Sequence, residues 1–143
     1  MEIFHYERVD VYMNLGRILN SDKGEESLLI EFFEVSKDAF FIFDKNFRIT
    51  YINPQVESFL GTERKDVIGK VLWDAFTLGK EFAISEECYR AMYDRIPQFW
   101  EMFFKSINVW AKIGAYPLKN GGLLVNVRDI TRRKYKELEL EEN

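Results

Sequence analysis

The chain has 143 residues, 47% of them apolar and 16% aromatic, including 13 Phe; this fits one well-cored domain with an appended arm and excludes a disordered chain. A formal net charge of −4 leaves no basic footprint for nucleic acid, and a single cysteine, Cys88, excludes an internal disulfide framework and a cysteine-based zinc site. No stretch approaches the roughly 20 apolar residues of a bilayer span and no basic-then-apolar leader opens the chain, so a soluble, cytoplasmic domain is expected.

Residues 2–19 carry helical spacing on two adjacent arcs, Phe4, Val11, Leu15 and Ile18 on one and Ile3, Tyr6 and Met13 on the other. So broad an apolar surface calls for cover by the domain or by a second copy. Asn20 to Gly24 is a breaker, and helical spacing resumes over residues 25–37 with Leu28, Leu29, Phe32, Phe33 and Val35. Ala39 to Phe43 is a short aromatic-rich run, read as a covered strand. Asp44-Lys45-Asn46 supplies turn chemistry, and Phe47 to Ile52 alternates, placing Phe47, Ile49 and Tyr51 on a common face. Asn53-Pro54 is an N-cap followed by the helical position proline favours, and that helix stops at Gly61.

Thr62 is expected to cap a short helix over residues 63–68, ended by Gly69. Val71 to Phe76 is a further short apolar element, broken by Gly79. Ser85 caps a longer helix running to about Ile96, with Cys88, Met92 and Ile96 on one stripe and Tyr89 and Tyr93 on the next. The period then changes to two. Trp100, Met102 and Phe104 share a face, as do Val109, Ala111, Ile113 and Ala115. After an Asn120-Gly121-Gly122 turn, Leu123, Val125 and Val127 do the same. Asp129 leads into a charged helix from Thr131 to Asn143, whose thin stripe is Ile130, Tyr135 and Leu138. Without a stop signal at its end, the natural protein is expected to continue. Two strands, a helical middle and three strands make an α+β fold: a five-stranded antiparallel sheet with helices packed across one face, between flanking helices. Residues 1–24 form an N-terminal flank, 25–130 the domain, and 131–143 the start of a C-terminal linker helix.

Several short matches, in order, mark a family. They are the AFFIFD strand, Asp44 at the turn, Tyr51-Ile52-Asn53, Leu60-Gly61, Val67-Ile68-Gly69-Lys70 before Trp73, Trp110 with Ala115-Tyr116-Pro117-Leu118, and Arg128-Asp129-Ile130-Thr131. Together they resemble the PAS domain, a sensory fold, from about residue 27 to 134. The terminal segments look like the linker helices of sensor histidine kinases and related signalling proteins. The resemblance implies that Asp129, Ile130 and Thr131 join the sheet to a signal-exit helix; a plain helix cap is the simpler alternative at that junction.

The family's cofactor types leave few traces here. A blue-light LOV domain needs Asn-Cys-Arg-Phe where this chain has Leu72-Trp73-Asp74-Ala75-Phe76, and the chromophore cysteine position of a photoactive-yellow-protein type holds Gly79. Cys88 reads as a small buried hydrophobe. The one histidine, His5, lies outside the domain, which argues against haem and against a metal site. Flavin stays open: Trp73 and Trp110 could stack on its ring system and Asn126 could bond its edge, although core packing also explains them and no glycine-rich phosphate loop follows a strand. No cofactor is predicted.

A non-covalent pocket would lie between the sheet and the helices after Gly69. Phe41, Phe43, Ile52, Val125 and Val127 would form the sheet wall. Val56, Leu60, Trp73, Phe76, Tyr89, Met92 and Tyr93 would form the other, suiting a small apolar or aromatic ligand. A filled core is the alternative. The expected function is a regulatory sensory module that binds a small molecule or dimerises and signals through its C-terminal helix to an output domain such as a histidine kinase. The alternative is a ligand-free docking platform. A homodimer is expected, through residues 2–19 and the Phe47, Ile49 and Tyr51 face. No convergent acid, base and nucleophile suggests an enzyme.

Overall fold

The computed structural model describes residues 23–142. The helix expected over residues 2–19, and His5 with it, lie outside the described residues. The order is α1 (Lys23–Val35), β1 (Ala39–Phe43), β2 (Ile49–Ile52), α2 (Pro54–Leu60), α3 (Arg64–Val67), α4 (Leu72–Ala75), α5 (Leu78–Ala83), α6 (Glu86–Met92), β3 (Gln98–Phe104), β4 (Val109–Pro117), β5 (Leu123–Asp129) and α7 (Thr131–Glu142). The strands form one antiparallel sheet in the order β2-β1-β5-β4-β3. Every side chain of β1 is buried because the strand has neighbours on both edges and helices on both faces.

The β1–β2 hairpin turns on Asp44, whose Oδ1 accepts from the backbone N–H of Asn46 (2.8 Å) and Arg48 (3.0 Å). Pairing runs Phe41 to Ile52, Ile42 to Tyr51 and Phe43 to Ile49, so Thr50 is an extra residue and the ladder bulges. The bulge breaks the alternation of the second strand. Ile49 and Ile52 both enter the main core, whereas Tyr51 turns to the opposite face. Phe47, in the turn with φ 60, drops its ring to 6.4 Å from Phe43. All three residues expected on an outward dimer face are therefore buried. As placed, they offer no surface to a second subunit.

Short helices α2 to α6 pack on one face of the sheet over Phe41, Phe43, Ile52, Ala111, Ile113 and Val125. The opposite face carries α1, whose Ile30 and Phe33 pack on Phe40, Ile42 and Tyr51, with Leu118 and Leu124 at the margin. Gly79 does not break the middle. It sits inside α5, where a Cβ would lie 2.7 Å from the Leu72 carbonyl oxygen, so only glycine lets α4 and α5 approach this closely. Thr62 is not the cap of α3, which is Glu63; the N–H of Arg64 is instead taken by Glu57 Oε2 at 3.2 Å. Helix α6 is capped by Ser85 Oγ on Cys88 N–H (3.2 Å) but ends at Met92, short of Ile96. Arg95 (φ 59) terminates the segment, donating to the carbonyls of Met92, Leu118, Gly121 and Gly122 and so tying α6 to the β4–β5 turn.

The two faces meet at Asn53, fully buried at the end of β2. Its Oδ1 accepts from Phe40 N–H (3.0 Å) and Val56 N–H (3.2 Å), and its Nδ2 donates to the carbonyls of Phe33 (2.8 Å) and Asp38 (2.9 Å). One amide thus caps α2, closes the end of α1 and fixes the start of β1. Removing it takes this partner from the Phe40 N–H and from the Phe33 and Asp38 carbonyls, whereas Val56 N–H keeps the Asn53 carbonyl at 3.1 Å; a buried group left unpaired costs about 1–3 kcal/mol. Asn53→Ala is expected to lower the unfolding free energy by at least about 2 kcal/mol in urea melts, with hydrogen exchange rising first in α1.

Candidate functional site

Between the inner face of the sheet and α2, α4 and α5 lies a cavity of about 20 Å³, lined by Phe41, Phe43, Phe59, Leu72, Leu78, Phe82, Phe104, Val125 and Val127. That is room for about one water molecule, but a buried water needs two to four polar partners and these side chains have none, so the space is dry. Aromatic edges frame it. Phe41 and Phe43 stack at 5.7 Å, Phe43 meets Phe82 at 6.3 Å, and Phe82 stacks on Trp100 at 6.0 Å.

Of the residues expected to wall a pocket, Phe41, Phe43, Val125 and Val127 line this cavity. Ile52, Val56 and Met92 belong to the same core but stand away from it, and Leu60 and Phe76 are half-buried at its margin, Phe76 edge-on to Phe41 at 6.4 Å. Trp73, Tyr89 and Tyr93 are not in the wall. Trp73 lies at the surface against Phe47 (5.4 Å), and the two tyrosines, 57% and 60% exposed, pack on each other at 5.0 Å. Helix α6 presents Cys88, Ala91 and Met92 inward, which turns the Tyr89–Tyr93 stripe to solvent. The sequence reading missed Phe59, Leu72, Leu78, Phe82 and Phe104; the spacing of the helical ones on α2, α4 and α5 was available, but the crossing of those helices over the sheet was not. Cys88 is buried, and desolvation pushes its thiol up to about 12, well away from reactivity.

The residues considered for stacking on a flavin do not come together. Trp73 packs on the helical side, whereas Trp110 lies on the opposite face of the sheet beneath Lys134, so the two cannot sandwich one ring. Asn126 is also on that outer face, opposite Phe40 and Gly114. Among the described residues no group of His, Cys, Asp and Glu could hold a metal ion.

Strand β5 carries Val125 and Val127 from the cavity straight into the junction with α7. Asp129 Oδ1 accepts from Thr131 N–H (2.9 Å), Thr131 Oγ1 accepts from Trp110 N–H (3.0 Å), and Ile130 N–H donates to the Trp110 carbonyl (2.9 Å), with the Ile130 side chain buried. Glu101 on β3 then holds the first turns of α7. It pairs with Arg133 and with Lys134 Nζ (2.8 Å), which also sits 5.0 Å above the Trp110 ring. Hydrogen bonds from Lys134 and Arg133 hold the Glu101 carboxyl down to about 2.

An antiparallel sheet of this order, with short helices on one face and a helix leaving the last strand, defines a five-stranded α+β domain. The sequence profile of the PAS domain family matches residues 37–132, and the chain belongs to that family. PAS domains are regulatory sensory modules rather than catalysts. Among solved structures, a domain of a sensory box sensor histidine kinase/response regulator from Geobacter sulfurreducens is 18% identical with a TM-score of 0.59, covering 73% of this chain and 94% of that one. A PAS domain from Colwellia psychrerythraea is 22% identical (TM-score 0.57; 74% and 97% covered). A domain of an HTR-like protein from Haloarcula marismortui is 19% identical (TM-score 0.56; 67% and 100% covered). At these identities the likeness is one of fold. No curated protein matches the chain.

Two outcomes follow from the geometry. Phe82→Ala is expected to cost about 3–5 kcal/mol, as large-to-small core changes do, and to open space that binds benzene or indole; a rise in melting temperature with either probe checks it. The Glu101 carboxyl sits below its ordinary value of 4.5, so its hold on α7 is complete above that value and is lost as pH falls through about 2. Protection across the first turns of α7, taken against the intrinsic exchange rate at each pH, should hold at mildly acid pH and fall near 2, and Glu101→Gln should abolish that step.

Proposed function

We propose that this chain is the sensory part of a cytoplasmic signalling protein, binding a small apolar or aromatic molecule in the core and signalling through α7 to an output domain such as a histidine kinase. The observation that carries this reading is the dry apolar cavity beside β5, because the same strand runs without interruption into the Asp129–Thr131 junction. Anything larger than one water must push the thin wall of α4 and α5 outward or displace Phe82. Either movement repacks Val125 and Val127 and so biases the strand end that aims α7. The mechanism is a shift between two packings, set by how much better the ligand binds one of them. Helix α7 exposes Tyr135, Leu138 and Leu140 along its length, a surface suited to pairing with a second copy of the helix. Among the described residues, no helix is long and apolar enough to cross a membrane.

A second reading, a ligand-free platform for protein docking, is favoured by the size of the cavity, since a core with room for about one water is nearly filled. Solvent extraction and mass spectrometry of the purified protein, with its absorbance spectrum and a thermal-shift panel of small aromatic and aliphatic acids, separate the two. The sensory reading expects a colourless sample with a co-purified apolar compound or a raised melting temperature. Repeated absence of both would move the assignment to docking.

A further inference from the structure

Helix α5 is a weak part of the cavity wall. It has six residues, and Thr77 gives it no side-chain cap, so it draws little stability from its own backbone. Leu78 and Phe82 project from it into the cavity, and the Phe82 ring stacks on Trp100 at 6.0 Å. Its two ends are held differently. Near the start, Gly79 lies flush against α4, where a Cβ would come within 2.7 Å of the Leu72 carbonyl oxygen. Close steric contact pins this end.

Towards the far end the tie is polar. Glu81 reaches the β3–β4 turn, where its Oε2 accepts from the Lys105 N–H (2.8 Å) and its Oε1 from the Ser106 N–H (3.1 Å). Two successive backbone donors on one carboxylate make a charge-assisted clasp. Among the described residues no other hydrogen bond joins α5 to a strand or to this turn. Phe82 follows Glu81 and Phe104 precedes Lys105, and both rings line the cavity. The clasp therefore closes the seam between helix and sheet at one edge of that cavity.

We propose that α5 is a lid, pinned at Gly79 and latched by Glu81 on the Lys105 and Ser106 amides, and that release of this latch is the step that enlarges the cavity. Lys105 and Ser106 are exposed, so water replaces the carboxylate on their amides when it lets go, and no buried polar group is left unmet. What opening gives up is the packing of Leu78 and Phe82, which an apolar guest restores. The other walls have no comparable seam: β1 and β5 are paired on both edges, and α2 is capped by the buried Asn53. The lid rests on the sensory reading of the cavity, but it moves with no ligand present. Failure of that reading registers in co-purification and thermal shift, and failure of the lid in the exchange of the free protein.

Hydrogen-exchange mass spectrometry on the full chain tests this, with Glu81→Ala and Glu81→Gln as variants. Glu81→Ala is expected to lower protection about tenfold or more, together, across residues 78–85 and 105–108, while the amides of β1 and β5 keep theirs. Glu81→Gln, which keeps the side-chain volume and one acceptor oxygen, is expected to do the same to a smaller degree. In protein carrying 5-fluorotryptophan, the fluorine resonance of Trp100 should shift in both variants while that of Trp110, on the opposite face, stays. Loss of protection confined to residues 105–108, or a Trp100 resonance that does not move, overturns the proposal and leaves Glu81 as a cap of the turn. Equal loss in β1 and β5 on Glu81→Gln also overturns it, since the whole fold then opens as one unit. Should Glu81→Ala disturb the fold, Glu81→Gln decides.

Discussion

The fold depends on a single buried amide. Asn53 spends both its acceptor and its donors on backbone groups from three elements, the end of α1, the start of β1 and the first turn of α2. Backbone groups at such ends have no partners of their own, and burying them unpaired would cost more than the apolar contacts nearby return. A carboxylate there would lose the two donated bonds and place a charge in the core, and a leucine would satisfy nothing. The asparagine therefore sets the relation between the two faces of the sheet, and both apolar clusters form around a relation already fixed.

The second tie between the faces is ionic. Glu34, Tyr51 and Arg64 meet where α1, β2 and α3 converge, with the guanidinium 5.6 Å from the Tyr51 ring and both charged side chains largely shielded from water. Burial, then the Glu34 charge, pushes the Tyr51 hydroxyl far up, so it stays a donor throughout the physiological range. Losing one member of such a group leaves its partner's charge unpaired, whereas losing an exposed pair costs little. Helix α1 is thus held by a directional contact as well as by Ile30 and Phe33, which fixes its rotation and turns Phe32 away from β2.

The sheet was legible from the sequence wherever alternation ran unbroken. Ala111, Ile113, Ala115, Leu123 and Val125 face the core as their period-two pattern indicates. Asn53-Pro54 and Ser85 also cap helices as their chemistry suggests. The reading failed at Thr50, because a bulge adds one residue without any compositional mark, and every side chain before it then changes face. It failed again at Tyr89 and Tyr93. A two-turn helix has more than one plausible inner stripe, and the choice is made by the strands beneath it. Helices of four to six residues, such as α4 and α5, are too short for periodicity to show which side chains reach a cavity. Arg95 was invisible for another reason: three of its four carbonyl partners lie on a distant turn.

The attachment of α7 differs in kind from everything inside the domain. Beyond the Thr131 cap and Ile130, its first turns are held by Glu101 with Arg133 and Lys134, charges that face water. Such attraction weakens with added salt, as the screening length shrinks from about 10 Å at 0.1 M to about 3 Å at 1 M, while the apolar interior scarcely responds. The domain accordingly carries a stiff arm in dilute solution and a looser one in brine. Ionic strength can thus loosen the arm while leaving the packing of the domain beneath it unchanged.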